Sequence, residues 1–275
     1  MRTKRRKKMR HQGDRKGIYI LPNLFTSASL FGGFYAIIAA TQGRYEAAAV
    51  SILVSAVLDG LDGRVARFTH TTSHFGVEYD SLSDVIAFGV APGILVFQWA
   101  MKPFGRFGWL AAFLYVVCGA LRLARFNVQK ATTDSSFFRG LPIPAAACMI
   151  ASLVLFFDEI GGMPESAPLL IVVMIYILSF LMVSTIGYVS FKKLDLKNQK
   201  PFNFLVSLIL MLIVVAYEPE IMIFLFMFFY VLSGPVAGIF RLGSRHRRAL
   251  EEEPKSQVME TVVTIDKERE NTGLG

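Results

Sequence analysis

Four aspartates at helical steps are the residues of this chain best suited to chemistry. Asp59 and Asp62 stand in Asp59-Gly60-Leu61-Asp62-Gly63-Arg64-Val65-Ala66-Arg67, and Asp80 and Asp84 in Gly76-Val77-Glu78-Tyr79-Asp80-Ser81-Leu82-Ser83-Asp84. Steps of three, four, seven and eight residues bring Asp62, Gly63, Ala66 and Arg67 onto one stripe with Asp59. Steps of four align Gly76, Asp80 and Asp84 on the next helix. A short link over residues 69–73 predicts a helical hairpin whose acidic stripes face each other. Oxygen ligands of this kind suit a hard divalent cation, magnesium or manganese, and neither Cys118 nor Cys148 falls in the cluster, which argues against structural zinc. Arg67 offers a planar fork matched to phosphate, and Gly63 and Gly76 remove side-chain bulk where a ligand would approach the backbone.

The elements that must position these acids read as membrane spans. Hydrophobic residues make up 53% of the chain, including 24 Phe, which is too apolar for an ordinary soluble domain. Charge-free runs at 17–43, 166–191 and 221–240 are long enough to cross a hydrocarbon core of about 30 Å, and 141–157 and 201–217 suffice with interfacial ends. Segments 46–67, 75–101 and 108–128 complete the set, each interrupted by charge at one end. The expectation is an all-α polytopic bundle of about eight transmembrane helices. A carboxylate at the bilayer centre costs about 2.5–3.5 kcal/mol, so four left uncompensated would cost roughly 10–14 kcal/mol. Bound cations would neutralise them.

Basic residues give the orientation. Nine Lys or Arg precede Ile18; Lys192, Lys193, Lys197 and Lys200 lie between the sixth and seventh spans; Arg241, Arg245, Arg247 and Arg248 follow the eighth. The opposite loops hold only Arg44, Lys102 and Arg106, so 26 of the 29 Lys and Arg share one side in an eight-span layout. The positive-inside rule therefore places both termini and the acidic site in the cytoplasm. Residues 1–17 read as a basic cytoplasmic arm, 18–240 as one transmembrane domain, and 241–275 as a polar cytoplasmic tail without apolar periodicity, where disorder is the expectation. The net charge of +8 sits largely in the arm, where it serves topology and anionic lipid headgroups rather than nucleic acid. Pro22-Asn23 interrupts the first apolar run and no small-residue cleavage site is evident, so that segment is expected to remain as a span. Cys118 and Cys148 read as small apolar residues inside spans, and His70 and His74 as polar residues of the interhelical link.

The complete pattern D-x2-D-G-x2-A-R-x8-G-x3-D-x3-D resembles the signature of the CDP-alcohol phosphatidyltransferases. That resemblance implies Asp59, Asp62 and Asp80 as principal metal ligands, with Asp84 near a second metal and serving as general base. It implies Gly63 and Arg67 as contacts to the CDP portion of the donor, with Ser73 a further candidate, and a homodimer as the assembly.

A second constellation, Gly119-Ala120-Leu121-Arg122-Leu123-Ala124-Arg125-Phe126-Asn127 with Phe138-Arg139-Gly140-Leu141-Pro142-Ile143-Pro144-Ala145, is similar to the phosphatidylserine synthase branch of that family. So are Pro22–Thr26 and Ser184–Lys192, although the branch often carries a basic residue where Gly187 stands. This likeness implies CDP-diacylglycerol and L-serine as substrates, and phosphatidylserine and CMP as products. Arg122 and Arg125, three apart, can hold a carboxylate or phosphate oxygens, with Asn127 beside them; the plainer reading of the arginines is positive-inside anchoring. Pro142 and Pro144 predict a helix start that shapes a headgroup entry. Choline, inositol or glycerol phosphate as acceptor stays open within the family. A divalent-metal transporter is the alternative from another class, against which stands the lack of an evident inverted repeat.

Overall fold

The computed structural model describes the backbone of residues 20–68, 73–130, 138–165, 167–188 and 217–238, and their side chains except at 20, 21, 66–68, 130, 138 and 139. The basic arm, the C-terminal tail, His70, the basic loops at 192–200 and 241–248, and nearly all of the expected span 201–217 lie outside these residues.

Seven helices occur among the described residues: α1 (Ile20–Thr41), α2 (Tyr45–Phe68), α3 (His74–Phe104), α4 (Arg106–Lys130), α5 (Ile143–Glu159), α6 (Ala167–Val183) and α7 (Pro219–Gly238). Four contain stretches long and apolar enough to cross a membrane, Pro22–Thr41, His74–Phe104, Arg106–Gln129 and Pro219–Gly238; α6 is apolar but shorter. The all-α membrane class therefore holds, whereas the count of eight is reached only in part. Phe31 and Phe34 on α1, Val57 on α2, Phe113 on α4 and Phe180 on α6 point outward, an apolar exterior that lipid solvates.

Small residues let the first helices approach closely. Ser29 and Ser55 exchange hydrogen bonds, each hydroxyl donating to the other's carbonyl at 3.1 Å, and Ser51 Oγ donates to Gly32 O at 2.8 Å. One residue on, a Cβ at Gly33 would lie 2.6 Å from Ala87 Cα, so only glycine admits α3 there. The α1–α2 turn closes through Gly43 at φ +76, with Arg44 N–H returning to Ala39 O at 2.9 Å and Gly43 N–H to Ala40 O at 3.1 Å. Against α2 runs α5, whose residues 146–155 are all buried and which also meets α3, α4 and α6.

Helix α3 departs from regular geometry in a way the apolar pattern does not reveal. Immediately after Asp84 it widens into a π turn over Val85–Val90, and again over Phe97–Met101. Pro92 stands four residues beyond Phe88 and Pro103 five beyond Gln98, so in each case a prospective helical donor has no N–H. Two tyrosines supply hydroxyls instead: Tyr115 OH donates to Phe88 O and Tyr45 OH to Gln98 O, both at 3.0 Å. Tyr115→Phe should therefore destabilise the protein by about 1–2 kcal/mol. An unchanged thermal midpoint in detergent would show that the Phe88 carbonyl needs no such donor.

Two further expectations need correction. The sixth helix ends at Val183 rather than reaching residue 191, because the chain turns at Ser184 and extends into β2 (Gly187–Tyr188), which pairs antiparallel with β1 (Phe138–Arg139). Gly140 follows at φ +85, its N–H donating to Ile186 O at 2.8 Å, and α5 then begins at Ile143 behind Pro142 rather than at residue 141.

Candidate active site

Helices α2 and α3 bring their acidic stripes together. Asp59, Asp62 and Asp80 each contribute a carboxylate oxygen to a group lying within 4.8 Å of one another. Asp84 is hydrogen-bonded through its side chain to Asp59. Two carboxyl groups can share such a bond only if one carries a proton, so the pair is a place where proton and cation compete for the same oxygens.

The donor set fits the expected ion. A hard cation held about 2.0–2.6 Å from each oxygen sits inside a triangle of that size, and carboxylates are its preferred ligands.

Helix α1 backs the cluster, a contribution that the sequence reading missed. Thr26 Oγ1 lies 2.9 Å from Asp62 Oδ2 and 3.2 Å from Pro22 O; with one proton to give, its stronger acceptor is the carboxylate. Thr26 O accepts from Ser83 Oγ at 3.2 Å, which ties α3 to the same point. Ser27 Oγ donates to Asn23 O at 2.8 Å and meets Tyr79 OH at 2.9 Å. Tyr79 thus belongs to the supporting wall. Glu78 is exposed and outside the cluster.

The donor-side candidates divide. Gly63 is exposed, and a Cβ there would meet nothing within 4 Å, which leaves room beside Asp62. At Gly76 the close neighbours are the protein's own: a Cβ would lie 3.1 Å from Ser73 Oγ and 3.3 Å from Asn23 Oδ1. Ser73 caps α3, its hydroxyl accepting from Gly76 N–H at 3.0 Å. Arg67 lies on the last turn of α2, where side chains are not among those described.

The paired arginines do different things. Arg125 donates from a terminal guanidinium nitrogen to Val183 O at 3.1 Å, satisfying a carbonyl at the end of α6. Arg122 is buried at 8% exposure, its Nε without a hydrogen-bond partner among the described residues, and lies in electrostatic reach of Asp84 and Tyr230. Asn127 Nδ2 donates to Ser81 Oγ at 2.9 Å and so braces the turn between Asp80 and Asp84. The site joins a carboxylate cluster to one buried cation, an arrangement suited to a phosphate-bearing donor and an anionic acceptor. Cys118 and Cys148 are both free, and neither belongs to the carboxylate group.

Comparison with known proteins agrees with this chemistry. A family profile described as CDP-alcohol phosphatidyltransferase matches residues 19–184, more than half of the chain. A CDP-diacylglycerol–serine O-phosphatidyltransferase of Helicobacter pylori is 42% identical over 223 residues, covering 81% of this chain and 92% of the relative. An archaetidylserine synthase of Methanothermobacter thermautotrophicus is 41% identical over 61% of this chain and 69% of its own. A Bacillus subtilis CDP-diacylglycerol–serine O-phosphatidyltransferase is 32% identical over 65% of this chain and 94% of its own.

Proposed function

The chain belongs to the CDP-alcohol phosphatidyltransferase family, and from that membership we propose that it transfers the phosphatidyl group of CDP-diacylglycerol to the hydroxyl of L-serine. The products are phosphatidylserine and CMP. The convergence of Asp59, Asp62 and Asp80 oxygens beside Asp84 is the observation that carries the reading.

In this reading Asp59, Asp62 and Asp80 hold divalent cation, magnesium or manganese, with Asp84 at the edge of the set. A cation held there would neutralise pyrophosphate charge and polarise the phosphorus under attack. Asp84 removes the proton of the serine hydroxyl as its oxygen bonds to the lipid-side phosphorus, and the bond from that phosphorus to the bridging oxygen breaks, releasing CMP. Thr26 fixes the Asp62 carboxylate, and the space at Gly63 admits the CDP portion, with Arg67 and Ser73 as further contacts. Arg122 receives the serine carboxylate; Asn127 keeps α4 and α3 in register. Arg125 has the lesser part, because its guanidinium is engaged with α6.

Serine is favoured as acceptor because the relatives from Helicobacter pylori and Bacillus subtilis are named for it, and because a buried guanidinium beside the base suits a carboxylate. Purified protein given CDP-diacylglycerol, manganese or magnesium and a panel of serine, choline, inositol and glycerol phosphate should form phosphatidylserine. Product from another acceptor alone would remove the serine assignment while sparing the family.

The same reading includes eight spans, residues 1–17 and 241–275 as cytoplasmic segments, an active site opening to the cytoplasm and a homodimeric assembly. Reporter fusions at Gly275 and in the turn of residues 158–165 should give opposite signals. Matching signals would overturn the topology.

A further inference from the structure

Helix α1 reaches both carboxylate-bearing helices through one residue. Thr26 Oγ1 lies 2.9 Å from Asp62 Oδ2 on α2, and Thr26 O accepts from Ser83 Oγ on α3 at 3.2 Å. Thr26, Asp62 and Ser83 are all buried, so a lost bond would leave a polar group without a partner.

Ser83 is the informative member. A helical serine can donate to a carbonyl of its own preceding turn, as Ser27, Ser81, Ser152 and Ser179 do. Ser83 crosses to another helix instead, at a position three residues after Asp80 and one before Asp84. Close approach of the two backbones makes this reach possible, since Gly33 further along α1 lies against Ala87. A carbonyl has two lone pairs, so Thr26 O can take the Ser83 proton and keep a helical donor.

The two bonds act on different coordinates. The Thr26 hydroxyl fixes the rotation of the Asp62 carboxylate, and the Ser83 bond fixes how far α3 stands from Thr26. Together they tie the Asp62 oxygen to the segment of α3 that carries Asp80, with which it converges. The bonds of Ser29 with Ser55 and of Ser51 with Gly32 also join α1 to α2, but they run from hydroxyl to backbone carbonyl and touch no carboxylate.

We propose that Thr26 and Ser83 form a brace that sets the spacing of the two acidic stripes, so that α1, which carries none of the three carboxylates, governs how tightly the cation is held. Both are positioning residues. The proposal rests on the reading of Asp59, Asp62 and Asp80 as the cation set, and it extends the support of Asp62 to the opposing helix.

Manganese binding to the full chain in nanodiscs, followed without substrates by the paramagnetic resonance of free Mn2+, tests it. Thr26→Val keeps the shape and the backbone carbonyl but loses the hydroxyl, and should weaken manganese binding about 10–100-fold. Thr26→Ser restores the donor and should return affinity to within about threefold of wild type. Ser83→Ala should weaken binding about threefold alone, and by less than about twofold when added to Thr26→Val, since a brace already severed at one bond has little left to lose at the other. Ser51→Ala removes a bond between α1 and α2 away from the carboxylates, and should leave manganese affinity within about twofold. Should Thr26→Val fail to fold, Ser83→Ala and Ser51→Ala still decide the matter by their contrast. Unchanged affinity in Thr26→Val or in Ser83→Ala, no recovery in Thr26→Ser, full additivity of the pair, or an equal loss in Ser51→Ala would overturn the brace while sparing the cation set. A folded wild-type protein that binds no manganese would refute the cation set itself, and the brace with it.

Discussion

Asp84→Asn abolishes phosphatidyl transfer while CDP-diacylglycerol binding remains measurable: this is the outcome expected if Asp84 is the base. The amide is nearly isosteric and can still donate to Asp59, so the contact between α2 and α3 survives. Asp59, Asp62 and Asp80 keep their converging oxygens and can hold a cation. What the amide cannot do is take the hydroxyl proton, and a general base contributes about 10²–10⁴-fold in rate. Near-normal turnover, with folding and metal occupancy intact, would take Asp84 out of the proton transfer and place the base elsewhere.

Asp59→Asn should behave differently, because Asp59 belongs to the cation triangle and is also the hydrogen-bond partner of Asp84. Its loss removes a charged ligand and releases the base together. Manganese affinity should fall by more than about 100-fold, beyond the 10–100-fold cost typical of losing a supporting contact to a ligand. Binding of CDP-diacylglycerol should fall with it, since the donor's pyrophosphate relies on the cation. If Asp59→Asn kept wild-type manganese and donor affinities while losing activity, Asp59 would be a positioning residue and the triangle would need another member.

The acidic cluster was legible before the fold because two simple signals coincided: carboxylates repeating at helical steps, and apolar sequence in which isolated carboxylates are costly. Spacing placed Asp59, Asp62, Asp80 and Asp84 on facing stripes, and the helices bring them together. Thr26 and Ser27 gave no comparable signal, since short hydroxyl side chains are common in membrane helices and often satisfy a preceding carbonyl of their own helix, as Ser27 does here. Arg122 and Arg125 were read as a pair because three residues is a same-face step. That step still carries about 4.5 Å of axial rise, enough to leave one guanidinium beside Asp84 and take the other to the end of α6. The π turns of α3 are set by Pro92, Pro103 and hydroxyls donated from other helices, and tertiary donors leave no periodicity. The β1–β2 pair escaped for the same reason: a two-residue bridge between distant segments is too short to show as alternation.

If the carboxylate cluster performs cation-dependent phosphatidyl transfer, both products will follow added metal in a fixed ratio. Protein stripped with chelator and given CDP-diacylglycerol and L-serine should release neither CMP nor phosphatidylserine. Titration with manganese should restore both together, one CMP for each phosphatidylserine, and the metal required should rise as pH falls because protons and cations share the same oxygens. Phosphatidylserine formed at full rate in chelator, or CMP released without lipid product at every metal concentration, would show that the cluster does not carry out a cation-dependent transfer.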